Sequence, residues 1–315
     1  MKKILITGAA GFIGLALTKK LSNSFKIDLI DNFSRGKKDR EFKKILKNKN
    51  IRLIKHDLYK DLKINIQYDY IFHLAAIVGV ENVLLKPFDV LLNNFKFLEN
   101  ILKFSKKQKK LQKLFFFSTS EVYAGSIKSK LIKFPTPENQ VLTLPNLSDK
   151  RSSYLLSKIY GESMCLHSGL PVIIVRPHNI YGPRMGFAHV IPQLAEKVLN
   201  KEEFIVFNSK HKRTFCFIDD FVNYLILLMH KKKLKHNIFN IGNNKEEIRI
   251  INLAKKIMKY YKIEKKIISK TINNSSPKKR IPNIVRLKNE VEIKKITNLD
   301  EGLSKTLNWY KNYLT

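Results

Sequence analysis

"KKILITGAAGFIG" occupies residues 2–14 and decides the fold class. Its apolar start is followed by Gly8, Gly11 and Gly14, and an apolar segment with helical spacing begins at Phe12. Glycines spaced in this way permit a tight turn, close approach of the backbone to a pyrophosphate, and close packing of helix on strand. The N-terminus of the helix adds N–H donors and a positive dipole. The stretch therefore predicts a first strand, a phosphate-binding turn and a first helix.

The end of the second apolar run, 25–32, carries an acidic residue at a position that suits a dinucleotide. Asp31 follows the glycine turn by about twenty residues, the separation at which a carboxylate reaches the adenosine ribose. A carboxylate there accepts hydrogen bonds from both ribose hydroxyls and repels a 2′-phosphate, because like charges repel. The sequence therefore predicts NAD rather than NADP as the cofactor.

Short apolar runs alternate with helical stretches over the first half of the chain. This alternation is typical of βαβ units and of a parallel sheet covered by helices on both faces. We therefore predict an α/β protein with a Rossmann-like doubly wound parallel sheet of about seven strands. The apolar runs lie at 2–8, 25–32, 51–58, 68–76, 114–120 and 170–177, and the helical stretches at about 12–21, 88–107 and 153–168.

The alternation ends after Pro177. The Pro- and Gly-containing segment "RPHNIYGPRMG" indicates a boundary, and a helix is predicted to begin near His189. We predict an NAD-binding Rossmann domain over 1–176, to which 213–242 return. A smaller α/β substrate-binding region at the C-terminus comprises 177–212 and 243–315. The polar stretch around 270–290 is the best candidate for a mobile loop.

Composition indicates a globular cytoplasmic protein. The hydrophobic share is 44%, and no apolar run is long enough to span a bilayer, so no membrane association is expected. The basic, apolar start resembles a signal peptide, but glycines interrupt it and a first strand is the better interpretation. Cys165 and Cys216 form neither a disulfide framework nor a metal-ligand cluster, and no metal site is predicted.

The net charge of +34 raises the question of nucleic-acid binding. Arginine accounts for only ten of the 60 basic residues, whereas nucleic-acid sites tend to gather arginine for bidentate contacts. The lysines are spread over the whole chain, which favours solvated helix faces. We therefore expect no nucleic-acid partner, although the charge would attract a small anionic substrate.

Taken together, the motifs resemble those of one enzyme family. "TGAAGFIG", "DNFS", "HDL", "HLAA", "STSEVY", "YLLSK", "RPHNIYGPR" and "RTFCFIDD" occur in the order seen in extended short-chain dehydrogenases/reductases, the nucleotide-sugar epimerase/dehydratase family. The resemblance covers nearly the whole chain. It implies an NAD-dependent enzyme whose substrate is a nucleotide-diphosphate sugar.

The resemblance also implies catalytic roles. Tyr154 and Lys158 lie one helical turn apart. In the family the tyrosine takes the proton of the C4 hydroxyl while NAD is reduced. Lys158 binds the nicotinamide ribose and, with positively charged NAD⁺, is expected to lower the pKa of Tyr154, because an opposite charge favours the phenolate. Thr119 matches the residue that hydrogen bonds the reacting hydroxyl.

Binding residues follow from the same matches. Arginines are expected to clamp the substrate's diphosphate by bidentate pairing. The implied substrate-binding residues are Ser120, Asn179, His189, Val190, Arg213 and Arg280. The implied NAD-binding residues are Gly8, Gly11, Phe12, Ile13, Gly14, Asp31, Asn32, Asp57, Leu58, Leu74, Ala75, Ala76, Asn93, Ser118, Tyr154, Lys158 and Pro177.

The helices predicted near 88–107 and 153–168 carry more apolar residues than one sheet face requires. In the family they pair with their copies as a four-helix bundle, so a homodimer or a dimer of dimers is expected. The alternative is an ordinary core stripe. The residues concerned are Val90, Leu91, Phe95, Leu98, Ile101, Leu102, Leu155, Ile159 and Met164.

Glu121, in "STSEVY", bears on the type of reaction. Oxidation at C4 makes the C5 proton acidic and turns a C5 carboxylate into a β-keto acid, so a carboxylate there suits dehydration or loss of CO₂. Thr-Ser-Glu resembles the signature of UDP-glucuronate decarboxylases and of GDP-mannose 4,6-dehydratases. However, Asn283 replaces the aspartate of the decarboxylases' R-x-P-D motif.

Several reactions remain open at this point. We place decarboxylase-like chemistry of the UDP-glucuronate type first and a UDP-hexose or hexuronate 4-epimerase second. A 4,6-dehydratase or net 4-dehydrogenase comes third. A non-catalytic nucleotide- or RNA-binding protein on the same fold is the alternative from a different class, and intact Thr119, Tyr154 and Lys158 disfavour it.

Overall fold

The computed structural model describes residues 1–144, 146–200, 203–272 and 277–314. Strands and helices alternate through most of these ranges. The strands are β1 (Lys3–Thr7), β2 (Lys26–Asp31), β3 (Ile51–Lys55), β4 (Tyr70–His73), β5 (Lys113–Phe117), β6 (Val172–Pro177), β7 (Ile180–Tyr181), β8 (Phe204–Phe207), β9 (Lys212–Arg213), β10 (Cys216–Phe217), β11 (Ile238–Ile241), β12 (Ile248–Arg249), β13 (Ile267–Lys270) and β14 (Lys279–Arg280). The helices are α1 (Phe12–Leu21), α2 (Arg40–Ile45), α3 (Val80–Leu85), α4 (Pro87–Lys106), α5 (Ala124–Lys128), α6 (Ser152–Leu166), α7 (Val190–Leu199), α8 (Ile218–His230), α9 (Ile250–Tyr261), α10 (Val285–Glu290) and α11 (Leu299–Leu314).

The central sheet has seven strands in the order β11-β6-β5-β4-β1-β2-β3. All of its pairings are parallel, which confirms the predicted sheet. Strand order reverses between β1 and β4, and in open α/β sheets the crevice at such a point binds ligands at the carboxyl ends of the strands. The glycine turn, which follows β1, therefore lies where a dinucleotide binds.

Apolar cores cover both faces of this sheet. Ile4 and Ile6 of β1 belong to one core, together with residues of α1 and α8. Leu5 lies between them in sequence and belongs to the other core, with residues of α4 and α6. Because successive strand residues point to opposite faces, a continuous apolar strand such as β1 must be covered on both sides. The doubly wound architecture follows from this.

The C-terminal part adds small sheets to the central one. β8 pairs with β13, and β9 pairs with β12 and β14. β11 returns to the central sheet beside β6. The division into an NAD-binding domain and a substrate-binding region remains a prediction.

The proposed mobile loop at 270–290 has several parts. Residues 273–276 lie outside the described residues. β14 and α10 fall within the remainder, so much of the segment has regular structure. None of the helices in the described ranges is long and apolar enough to cross a lipid bilayer.

Candidate active site

The glycine turn is held close to β4 and α1. Gly8 has φ +69°, and a Cβ added there would lie 2.7 Å from the Ala75 nitrogen. A Cβ on Gly14 would lie 2.5 Å from the Gly8 oxygen. Gly11 directly precedes α1, and Phe12 and Ile13 form its first turn. Side chains at these glycines would separate the turn from its neighbours, so the sequence pattern reflects a real steric requirement.

Asp31 lies at the end of β2 and is fixed by two backbone donors. One carboxylate oxygen accepts the Ala10 N–H at 2.9 Å, and the other accepts the Phe33 N–H at 2.8 Å. Each oxygen keeps lone-pair capacity for a further donor, so the carboxylate can accept the hydroxyls of a ribose. Asn32 donates to Asp57 at 3.2 Å, which links the ends of β2 and β3. These residues fit an adenosine end of NAD.

The other predicted cofactor residues lie along the carboxyl edge of the central sheet. Leu58 follows β3, Leu74, Ala75 and Ala76 follow β4, Ser118 follows β5, and Pro177 ends β6. Ala75 also donates its N–H to the Thr7 hydroxyl at 3.3 Å. Because the strands are parallel, their carboxyl ends meet at one edge.

On α4 the buried amide belongs to Asn94 rather than to the predicted Asn93. The Asn94 side chain accepts the Ile77 N–H at 2.6 Å and donates to the Ser157 hydroxyl at 3.2 Å. It therefore joins the segment after β4 to α6. The two asparagines are adjacent in sequence, and the rotation of α4 about its axis decides which of the two side chains is buried. A cofactor role for Asn93 remains a prediction.

Tyr154 and Lys158 lie on α6, as predicted. The Lys158 ammonium donates to the Phe117 carbonyl at 2.8 Å and lies 5.9 Å from the centre of the Tyr154 ring. Burial lowers the pKa of Lys158 to about 8 and raises the pKa of Tyr154 to about 12, against the hydrogen bond with Thr119. The chain's own groups thus leave the phenol with a raised pKa, because desolvation of the phenolate is the largest effect. The lowering expected from Lys158 together with NAD⁺ remains a prediction.

Glu121 lies in the 3₁₀ turn Ser120–Tyr123, directly after the Thr119 cap. Its carboxylate pairs with the Arg280 guanidinium at 2.8 Å, and the same guanidinium lies 3.3 Å from the Ser120 hydroxyl. Burial acts to raise the pKa of Glu121, but Arg280, Arg151 and Arg213 together lower it. Glu121 is therefore held as a carboxylate.

Arg280 has one donor to spare. Its Nε is buried and has no hydrogen-bond partner among the residues that the structure describes. A buried donor without a partner is costly.

Of the other predicted substrate residues, Arg213 lies near this pair. Arg213 lies opposite Arg280 in the pairing of β9 with β14, and burial with the charge of Arg280 lowers the pKa of Arg213 to about 9. Asn179 has φ +45° and donates to the Thr214 carbonyl at 2.9 Å. His189 caps the start of α7, where Val190 is the first residue.

Three arginines were not predicted from the sequence. The charge of Arg35 acts on Tyr154, and that of Arg151 acts on Glu121. Arg184 donates to the carbonyls of Ala10 at 3.0 Å and Gly11 at 3.2 Å, so it supports the glycine turn. Arginine is scarce in this lysine-rich chain, and that scarcity was the one feature of the sequence that could have pointed to these three arginines.

Comparison with known proteins agrees with this geometry. Residues 4–242 match the NAD dependent epimerase/dehydratase family. The chain belongs to this family. It is similar to a UDP-N-acetyl-alpha-D-glucosaminuronate decarboxylase of Bacillus cytotoxicus, with 32% identity over 98% of this chain and 98% of the relative. UDP-glucuronic acid decarboxylase 1 of Xenopus tropicalis is 29% identical over 99% of this chain and 73% of that protein.

A solved structure of another enzyme has the same fold as this chain. UDP-glucuronic acid 4-epimerase from Bacillus cereus, in complex with UDP-glucuronic acid and NAD, has a TM-score of 0.84 at 25% identity, over 99% of both chains. The resemblance inferred from the motifs is therefore confirmed. The chain is an NAD-dependent enzyme of the family that contains nucleotide-sugar decarboxylases, epimerases and dehydratases.

Proposed function

We propose that the protein is a decarboxylase of a nucleotide-activated hexuronate. The observation that carries the proposal is the ion pair between Glu121 and Arg280, which lies beside Ser120. A bound hexuronate would bring its own carboxylate to this ion pair, in addition to the carboxylate of Glu121. The Arg280 guanidinium, which also contacts Ser120 and Glu121, is the cation that such a carboxylate would meet.

The first step is oxidation at C4. NAD⁺ supplies the hydride acceptor and a positive charge that lowers the pKa of a phenol beside it. Tyr154 takes the proton of the C4 hydroxyl as general base. Thr119 hydrogen bonds Tyr154 and favours its phenolate. Lys158 binds the nicotinamide ribose from the position fixed by the Phe117 carbonyl.

The second step is loss of CO₂. The C4 ketone makes the C5 carboxylate a β-keto acid, so the C5–C6 electron pair flows into the carbonyl as CO₂ departs and an enolate forms. Arg280 orients the carboxylate, and Glu121 fixes Arg280 through their ion pair. A proton from solvent is then added at C5, the hydride taken up in the first step returns to C4, and Tyr154 returns its proton to the C4 oxygen.

The substrate that we propose is a UDP-hexuronate. One relative is named for UDP-N-acetylglucosaminuronate and another for UDP-glucuronic acid, so both sugars are candidates. We assign the diphosphate to Arg213, whose buried guanidinium suits a bidentate contact. Asn179, His189 and Val190 are proposed to contact the rest of the nucleotide sugar.

A 4-epimerase is the second candidate. The similarity to UDP-glucuronic acid 4-epimerase, at a TM-score of 0.84, favours it. An epimerase shares the oxidation at C4 but retains the carboxylate and rotates the ketone before reduction. The two reactions therefore differ only in the fate of the 4-keto intermediate.

Mass spectrometry of the products tests the proposal. The protein is incubated with UDP-glucuronate and, separately, with its 2-acetamido analogue. We expect a product lighter by the mass of CO₂. An unchanged mass with altered ring couplings in the NMR spectrum would mean epimerisation, and loss of water would mean dehydration; either result refutes the decarboxylase.

The variant Glu121→Gln separates the steps. It should spare C4 oxidation and block loss of CO₂, so reduced cofactor and a 4-keto sugar should accumulate and be visible by absorbance. Glu99→Gln, on the exposed side of α4, is the control and should turn over like the wild type. Interconversion of C4 epimers by Glu121→Gln at a near-normal rate would leave epimerisation as the function.

We further propose a homodimer, or a dimer of dimers, formed through α4 and α6. The structure assigns several predicted interface residues to the core instead: Val90, Leu98, Ile101, Leu102 and Leu155 are buried. Of the predicted residues, Leu91 is exposed. Further exposed apolar residues are Phe88 and Leu92 on α4, Tyr160 on α6, and Leu84 and Leu85 on α3. An apolar patch of this kind typically marks an interface. Cytoplasmic localisation and the lack of a nucleic-acid partner remain predictions.

A further inference from the structure

Asn240, on β11, lies at the centre of a buried polar network. Its side chain is fully buried. Its amide oxygen accepts the Tyr123 hydroxyl at 2.9 Å and lies 3.1 Å from the His178 Nε2. Its amide nitrogen donates to the carbonyls of Thr136 at 2.9 Å and Asn283 at 3.2 Å. Both donors and both acceptor sites of the amide are therefore used.

These contacts join the two segments that carry the ion pair of the active site. Tyr123 is the last residue of the turn that contains Glu121. Asn283 lies three residues after Arg280, and its N–H donates to the Thr136 carbonyl at 2.8 Å. Asn240 thus binds the Glu121 turn with its oxygen and the Arg280 segment with its nitrogen.

The Arg280 segment is held on two sides. On one side it exchanges backbone hydrogen bonds with Thr136, from the Thr136 N–H to the Ile281 carbonyl and from the Asn283 N–H to the Thr136 carbonyl, each at 2.8 Å. β14 is two residues long, and in its pairing with β9 it sets Arg280 opposite Arg213. Burial, and after it the charge of Arg280, lowers the pKa of Arg213, so the two guanidinium groups also repel each other. Asn240 donates to the carbonyls of both Thr136 and Asn283, so its side chain fixes this pairing relative to the Glu121 turn, which it holds through Tyr123.

We propose that Asn240 is a positioning residue, which sets the Arg280 guanidinium against the Glu121 carboxylate. It touches neither of them and acts through Tyr123 and Asn283. The catalytic consequence rests on the proposed function, since it presumes that the pair handles a substrate carboxylate. The effect of Asn240 on the position of Arg280 against Glu121 does not depend on the proposed function.

The pKa of Glu121 reports directly on this geometry. Loss of Arg280 from its side would let the pKa rise, because an opposite charge would be withdrawn from a partly buried carboxylate. The charged and titratable groups that act on Glu121 or respond to its charge come from several elements: Arg280 on β14, Arg213 on β9, Arg151 before α6, Tyr154 on α6 and His178 after β6.

The experiment titrates Glu121 in the full-length, NAD-loaded protein. Selective ¹³C labelling of glutamate carboxyls gives one signal per residue, and Glu121→Gln identifies the signal of Glu121. We expect Asn240→Ala to raise the pKa of Glu121 toward the ordinary glutamate value. Gln108→Ala removes a buried amide that accepts the Tyr68 N–H at the opposite edge of the sheet, and should leave the pKa unchanged.

An unchanged pKa in Asn240→Ala, or an equal rise in Gln108→Ala, overturns the proposal. If Asn240→Ala does not fold, Tyr123→Phe removes one hydroxyl and keeps the ring, and a smaller rise in the same direction is expected; no rise would again overturn it. This readout needs no turnover. A wild-type protein that releases no CO₂ would therefore refute the proposed function while the test of Asn240 stands.

Discussion

The buried ion pair between Glu162 and Arg176 offers a quantitative test of what stabilises the site. Their side chains are 5% and 3% exposed. Arg176 donates to both oxygens of Glu162, at 2.9 and 2.5 Å, and donates a further hydrogen bond to the Tyr123 hydroxyl at 2.7 Å. Glu162 follows Lys158 by one turn of α6, so the pair connects α6 to β6 and to the Glu121 turn.

The variant Glu162→Gln keeps the shape and removes the charge. Removing one member of a buried ion pair leaves the other charge unpaired and costs about 3–5 kcal/mol. The exposed pair between Lys256 and Asp300, with side chains 40% and 73% exposed, is the control. There Asp300→Asn should cost less than about 1 kcal/mol, because water screens the charges.

Urea denaturation, followed by circular dichroism and by the fluorescence of Trp309, measures both free energies of unfolding. A second readout is functional. The charge of Glu162 acts to raise the pKa of Lys158, which burial lowers to about 8. In Glu162→Gln the ammonium should therefore be lost at lower pH, and NAD affinity should begin to fall at a lower pH than in the wild type. A loss of stability below about 1 kcal/mol, within the range of an exposed pair, would show that the burial argument is wrong.

Three further predictions concern catalysis, pH and assembly. Tyr154→Phe should reduce turnover by orders of magnitude while NAD binding, measured by calorimetry, stays near the wild-type value, because the ring remains and only the proton acceptor is lost; normal turnover would exclude Tyr154 as the base. Burial lowers the pKa of His178 from 6.5 to about 3, so the unfolded chain binds a proton that the folded chain does not, and stability should fall as pH drops through this window. In His178→Asn the slope of unfolding free energy against pH should decrease there by up to ~1.4 kcal/mol per pH unit, and an unchanged slope would contradict the burial effect. Leu85→Glu with Phe88→Glu should convert the dimer to a monomer in analytical ultracentrifugation without loss of helical content; a wild-type monomer at micromolar concentration would refute the interface itself.

Local patterns in the sequence were sufficient for the fold and the cofactor turn. The spacing of Gly8, Gly11 and Gly14 follows from steric contacts within a strand, a turn and a helix, which are near in sequence. The distance to Asp31 follows from the length of one βα unit. Tyr154 and Lys158 share a helix face because a helix repeats every 3.6 residues. Such short-range geometry can be read from the chain directly.

Contacts between distant segments were decided by the tertiary structure. Glu121 and Arg280 are separated by 159 residues, and no local pattern indicates that they form an ion pair. Likewise, the burial of Asn94 rather than of its neighbour Asn93 depends on which face of α4 packs against Ile77.

The charge states of the site residues also depended on the tertiary structure. The lowered pKa of Tyr154 that was predicted from Lys158 together with NAD⁺ remains a prediction. The packed chain itself raises this pKa to about 12, because burial removes water from the phenolate. Asn240 gave no signal at all in the sequence, since an asparagine in a buried strand acquires its role only from the four segments that fold around it. The sequence by itself thus determined the sheet, the glycine turn and the residues available for catalysis. Only the packing of distant segments decided their partners and their charge states, because desolvation and ion pairing depend on three-dimensional surroundings.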